Sequence, residues 1–142
     1  MRDWASAAGL LDGDAWLGNG SGLYDNNRMS AGQLTSLLAQ VHQDFRIYGD
    51  FLASLAIMGE DGTTRRRLDG TEHAGWVRAK TGTLDGVSAL SGYAAVEGRP
   101  PVAFSILFND IAVGSTALAR RTQDEIVEEI RAWVLNAKTA ER

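Results

Sequence analysis

An α+β fold, helical first and then a meander of strands closed by a helix, follows from three patterns in this 142-residue chain. Leu34, Leu37, Leu38 and Val41 recur at helical spacing in the first half. In the second half, extended apolar stretches are separated by turns at Asp69-Gly70, Asp85-Gly86 and Glu97-Gly98-Arg99-Pro100. The chain then runs into a long amphipathic segment, Ser115–Ala137.

In order along the chain, residues Arg2–Leu11 read as a short helix with Trp4, Ala8 and Leu11 near one face, stopped at Asp12-Gly13-Asp14. Leu17–Asn27 is rich in glycine and asparagine and reads as a loop of tight turns. Ser30 has the pattern of a helix N-cap, with Gln33 three residues on completing a capping box for a helix over Ala31–Gln43. Asp50–Ile57 reads as a further short helix, and Gly59-Glu60-Asp61-Gly62 as a turn. Strands are expected at Thr63–Leu68, Gly75–Lys80, Gly86–Val96 and Pro101–Asn109. In the last of these Val102, Phe104, Ile106 and Phe108 alternate, so one face is buried. The closing helix has Ile126, Ile130, Trp133 and Val134 as its apolar stripe, and Arg120, Arg121, Asp124, Glu125, Glu128 and Glu129 as its wet face. The expected organisation is one unit over 1–142, with a helical part to about residue 60 and the sheet with its closing helix over about 61–137.

Composition narrows the function. A hydrophobic content of 44% is enough to build a core. The charge, 14 basic residues against 18 acidic for a net of −4, argues against a nucleic-acid surface, which needs a dense basic face. With no cysteine there is neither a disulfide nor a thiolate metal site. His42 and His73 have no partner at metal-ligand spacing and read as surface or packing residues, so no metal or cofactor is expected. The N-terminus lacks the apolar core of a signal peptide, and no apolar run reaches membrane-spanning length.

The chemistry-bearing motif is Lys80-Thr81-Gly82, set in Val77-Arg78-Ala79-Lys80-Thr81-Gly82-Thr83-Leu84. A cation and hydroxyls at a strand edge can clamp a peptide carboxylate. Lys-Thr-Gly accompanies a Ser-x-x-Lys nucleophile in penicillin-binding proteins. This chain has two lysines, Lys80 and Lys138, preceded at the third position by Val77 and Leu135, so it contains no Ser-x-x-Lys.

Taken with Asn19-Gly20-Ser21-Gly22-Leu23, Tyr24-Asp25-Asn26, Gly59-Glu60-Asp61-Gly62-Thr63 and Leu90-Ser91-Gly92-Tyr93, the run around Lys80 resembles the C-terminal part of D-alanyl-D-alanine carboxypeptidases of the penicillin-binding protein 4 (peptidase S13) type. The resemblance covers roughly residues 15–135. It implies the C-terminal portion of a serine β-lactamase/transpeptidase-like domain, with antiparallel strands flanked by helices. The implied chemistry is acyl transfer on peptidoglycan stem peptides, blocked by β-lactams.

On this resemblance Lys80 supplies positive potential and assists proton transfer, and Thr81 offers a hydroxyl to the carboxylate. Gly82 lets the substrate backbone approach, and Thr83 gives its N–H to an oxyanion hole. The family's Ser-x-Asn motif falls on Tyr24-Asp25-Asn26, with tyrosine in place of serine. Asn26 would bond the substrate amide, or be a turn asparagine; Tyr24 would relay a proton, or be an aromatic lid.

The nucleophile and the N-terminal part of the domain lie elsewhere on this reading, so the isolated chain is expected to be inactive. The parent is expected to be periplasmic or otherwise extracytoplasmic. The alternative is a non-catalytic truncated or split-protein module that binds peptide or pairs with another chain, its open sheet edge offering a homodimer contact. Ser21, in Gly-Ser-Gly, lacks the setting of a nucleophile and reads as a turn residue. Arg65-Arg66-Arg67 reads as a charged strand edge that resists aggregation, with Arg66 pointing away from its neighbours. Trp76 and Trp133 read as core or subdomain contacts.

Overall fold

The computed structural model describes residues 2–11, 13–23 and 27–140. Helix α1 (Arg2–Ala7) leads to a two-residue pairing of β1 (Trp16–Leu17) with β2 (Asn27–Arg28). Helices α2 (Ala31–Gln43) and α3 (Phe45–Ser54) follow. The main sheet has the order β3-β4-β5-β6, formed by Ala56–Ile57, Val77–Leu84, Val87–Ala94 and Val102–Phe108, all antiparallel. Helix α4 (Thr116–Ala140) closes the chain.

The capping box forms as read. Ser30 Oγ accepts from the Gln33 N–H at 3.1 Å, and Gln33 Oε1 accepts from the Ser30 N–H at 2.8 Å. Two otherwise orphaned donors are satisfied, which fixes the start of α2.

Strand alternation builds two cores. On one face Val77, Ala79, Leu90, Ala94 and Phe104 pack with Val127 of α4. On the other, Tyr93 packs with Leu38 of α2 and Leu55, and its hydroxyl donates to Leu38 O at 2.7 Å. Gly92 is where the sheet closes most tightly: a Cβ there would sit 2.0 Å from Arg78 O and 2.7 Å from Ala79 Cα.

Several sequence expectations are corrected. Residues 63–68 are not a strand: a 3-10 turn (Gly62–Thr64) and further turns take their place. The strand that borders β4 is instead Ala56–Ile57, inside the segment read as a helix over 50–57, while the helix itself lies at 45–54. Leu55 has extended dihedrals and ends the helix, and Ile57 is turned around by the Asp61 carboxylate, which accepts its N–H at 2.6 Å. The sheet therefore begins before residue 61.

Arg67 is buried rather than being part of a charged edge. Its guanidinium reaches Asp124 Oδ1 at 2.8 Å, Arg120 O at 3.0 Å and Gln123 Oε1 at 3.2 Å. On α4 the inward stripe is Gln123, Val127, Arg131 and Val134, all buried, while Ile126 and Trp133 are exposed. Asp124, read as wet, is half-buried against Arg67. In α1 the buried residue is Ala5, with Leu10 beyond the helix, whereas Trp4 faces out.

Arg131 ties α4 to the loop before β4 and to the residue following β5. It donates to Ala95 O, Glu72 O and His73 Nδ1, and lies over the Trp76 ring. Trp76 is itself 39% exposed. His73 is thus a packing residue, as is His42, whose ring meets Tyr48 edge-on. Among the described residues, no group of three or more His, Cys, Asp or Glu could hold a metal, and no helix is long and apolar enough to cross a membrane.

Candidate active site

The site grows from a mismatch of strand lengths. β4 pairs with β5 along its whole length, Val77–Leu84, but β3 borders only Arg78 and Ala79. From Lys80 to Leu84 the other side of β4 has no ladder partner among the described residues. An open stretch of main chain beside a cleft can take an extended peptide as an added strand.

Alternation then sorts the motif. Thr81 and Thr83 stand opposite Leu90 and Ser88, on the α4 face. Lys80 and Gly82 stand opposite Ser91 and Ala89, on the α2 face. Lys80 is exposed, and its Nζ donates to Thr81 O at 2.6 Å, curling the ammonium back over the strand edge. Gly82 has little room: a Cβ would meet Ala89 Cβ at 3.2 Å, so its small size serves the β4–β5 contact as well as access.

Two further residues touch the motif. Thr63, in the 3-10 turn, shares a 2.8 Å hydroxyl–hydroxyl bond with Thr81. Arg120, on α4, donates to Thr83 Oγ1 at 3.3 Å. Sequence reading missed both. Thr63 is 18 residues from Thr81, and Arg120 is one of several charges on a helix face; only the turn at 62–64 and the approach of α4 reveal the contacts.

Beneath them lies a buried polar network. Ser88 and Gln123 are 1% and 0% exposed, and Ser88 Oγ donates to Gln123 Oε1 at 3.4 Å. Burial pushes the Asp124 carboxyl above the usual carboxylate range, and the Arg67 guanidinium beside it pulls it back. These groups connect the 65–67 segment to α4 and so set the floor of a groove of about 910 Å³ that runs along Thr81 and Thr83.

Tyr24 and Asn26 lie outside the described residues. Their neighbours Gly22 and Asn27 share a hollow with Val87 and Ala89 of β5. Asn27 holds the loop: its Oδ1 accepts from the Gly18 and Asn19 N–H groups, and its Nδ2 donates to Asn19 O. Among the described residues Ser21 bonds within that loop, to Asn19 Oδ1 and the Leu23 N–H, as a turn residue does. The structure thus brings Lys80, Thr81, Gly82 and Thr83 together at one edge.

The profile of the D-Ala-D-Ala carboxypeptidase 3 (S13) family matches residues 2–132. Over 115 residues the chain is 42% identical to a D-alanyl-D-alanine carboxypeptidase of Actinomadura sp. (strain R39), covering 77% of this chain and 21% of that one. Among solved structures it superposes on penicillin binding protein 4 of Haemophilus influenzae with a TM-score of 0.79 at 24% identity, covering 92% of this chain and 30% of that one. The same protein complexed with a β-lactam gives 0.78. A predatory endopeptidase of Bdellovibrio bacteriovorus, complexed with an immunity protein, gives 0.70 at 20% identity, over 94% of this chain and 36% of that one. The chain therefore spans about a fifth of its curated relative and about a third of the solved structures.

Proposed function

The chain belongs to the D-Ala-D-Ala carboxypeptidase 3 (S13) family, and from that premise we propose that it supplies the substrate-clamping half of a serine acyl-transfer site acting on peptidoglycan stem peptides. The observation that carries this reading is the open edge of β4, where Lys80, Thr81 and Thr83 converge beyond the end of β3. A peptide ending in D-Ala-D-Ala lies along that edge. Its carboxylate meets the Thr81 and Thr83 hydroxyls, and the Lys80 ammonium adds positive potential. The Thr83 N–H is one oxyanion donor. By the family's motif, Asn26 is assigned to the substrate amide and Tyr24 to proton relay.

The attacking serine comes from outside these residues. It would open the terminal amide, expel D-Ala or a D-Ala-linked cross-link, and form an ester that water then hydrolyses. Penicillins would acylate the same serine. The assembled enzyme would work in the periplasm or an equivalent extracytoplasmic space.

Incubating the chain with a penicillin and weighing it by mass spectrometry tests this division of labour. No acyl adduct is expected, since loss of the nucleophile removes nearly all chemistry. A stable adduct would place a nucleophile within these residues and overturn it.

A second reading, a non-catalytic module that pairs with another chain, is favoured by one observation. β6 is the outer strand of the sheet, its seven residues carry no charge, and no strand covers its far side among the described residues. Such an edge can take a strand from a second copy or from the rest of the domain.

A further inference from the structure

Charge is distributed unevenly in this acidic chain. Six of its 14 lysines and arginines line the groove beside Thr81 and Thr83, with only one of its 18 carboxylates. That carboxylate, Asp124, is taken by the buried Arg67. Arg65, Arg66, Lys80, Arg120 and Arg121 are exposed and form no ion pair among the described residues. Lys80 and Arg120 bond Thr81 O and Thr83 Oγ1. The side chains of Arg65, Arg66 and Arg121 have no hydrogen bond or ion pair among the described residues. Crowding like charges disfavours the compact state, so the fold gains nothing from this concentration. One C-terminal carboxylate neutralises only one of the five.

The placement says where further negative charge would go. Arg120 touches Thr83 itself, and Arg121 follows it on α4. Arg65 and Arg66 follow closely on Thr63, which touches Thr81. The cations thus line the groove with Thr81 and Thr83, the two hydroxyls that the clamp reading gives to the peptide carboxylate.

We infer that the groove is a second anion subsite, selecting peptides whose C-terminal, leaving residue carries an additional carboxylate. This rests on the clamp reading above and sharpens it toward acidic leaving groups. The second carboxylate is held by Arg65, Arg66 and Arg121, and planar guanidinium groups can each offer it two parallel donors.

Calorimetric titration of the chain at low salt tests the inference with N-acetyl-D-Ala-D-Ala, N-acetyl-D-Ala-D-Glu and N-acetyl-D-Ala-L-Glu. The D-Glu peptide is expected to bind roughly tenfold tighter than the D-Ala peptide, as two or three exposed ion pairs allow, with the advantage shrinking as salt rises. The triple variant Arg65→Gln, Arg66→Gln, Arg121→Gln should melt at or above the temperature of the parent and lose that advantage.

Equal affinity for the D-Glu and D-Ala peptides, or no detectable binding of the D-Glu peptide, overturns the subsite. So does inorganic tripolyphosphate binding as tightly as the D-Glu peptide, which would make the groove a general polyanion surface. If the L-Glu and D-Glu peptides bind equally and both outbind the D-Ala peptide, the subsite stands and the D-Ala reading falls.

Discussion

Removing the Arg67 side chain should cost about 3 kcal/mol and loosen the floor of the groove beside Thr81 and Thr83. Arg67 is 8% exposed and makes hydrogen bonds to Asp124, Arg120 O and Gln123 at 2.8–3.2 Å. In Arg67→Met the Asp124 carboxylate, only 23% exposed, loses its counter-ion, and Gln123 loses its charged donor. Breaking a buried pair from one side costs about 3–5 kcal/mol, and the partial exposure of Asp124 places this case at the low end. For a chain of this size about 3 kcal/mol lowers the melting temperature by roughly 10 °C.

The loss should depend on pH. Burial already raises the Asp124 carboxyl, and without Arg67 nothing opposes that rise. An acid with a raised folded pKa is protonated more readily when folded, so the variant regains stability as pH falls through that pKa. Urea unfolding at pH 7 and pH 5 reads both effects, and Arg67→Met with Asp124→Leu should recover most of the loss. A single-variant cost under about 1 kcal/mol at pH 7, or no recovery in the double variant, would refute the reasoning.

Three other outcomes follow from the same contacts. Gly92→Ala drives a methyl into Arg78 O and Ala79 Cα, so it should lose roughly 3 kcal/mol or more, read by urea unfolding; an unchanged midpoint would mean β4 and β5 can separate freely. Burial, with the neighbouring Tyr48 adding to it, pushes the Tyr93 phenol up to about 12. The unfolded phenol ionises near 10, so stability should hold below about pH 10 and fall by roughly 2–3 kcal/mol as pH rises through about 12. Tyr93→Phe should flatten that arm at a cost of about 1 kcal/mol for the lost bond to Leu38 O. Thr81→Val removes an exposed hydroxyl pair with Thr63, so melting should change little, while binding of N-acetyl-D-Ala-D-Ala should weaken about tenfold.

Where a local rule decided the outcome, the sequence was sufficient. The Ser30–Gln33 box gave the start of α2, and the turn at Asp85-Gly86 joins β4 to β5. Lys80, Thr81, Gly82 and Thr83 were legible as a group because a strand keeps neighbours in line. Distant contacts were not legible. Arg67 resembles its neighbours Arg65 and Arg66 in sequence, yet among the described residues it is Arg67 that pairs with a carboxylate, 57 residues away on α4. Ile126 and Trp133 fit an apolar stripe, but the helix is rotated so that Gln123 and Arg131 point inward, each supported by long-range hydrogen bonds. β3 was missed because two residues carry no periodicity; its pairing with Arg78 and Ala79 identifies it.

The two open borders of the sheet differ in a way that separates their uses. Beyond β3, the free side of β4 is short and lined by Lys80 and the arginines, and charge at an edge opposes pairing with another folded sheet. A small anionic peptide is attracted by the same charge. The β6 border is uncharged over seven residues and has no such guard. On the proposed reading, protein–protein pairing is assigned to β6 and peptide binding to β4. If so, any self-association of this chain should run through β6 and leave the clamp free. Sedimentation across a range of chain concentrations, with and without N-acetyl-D-Ala-D-Ala, distinguishes the two borders. Association that the peptide does not alter fits β6; association that the peptide dissolves would place the contact at β4 and reverse the assignment.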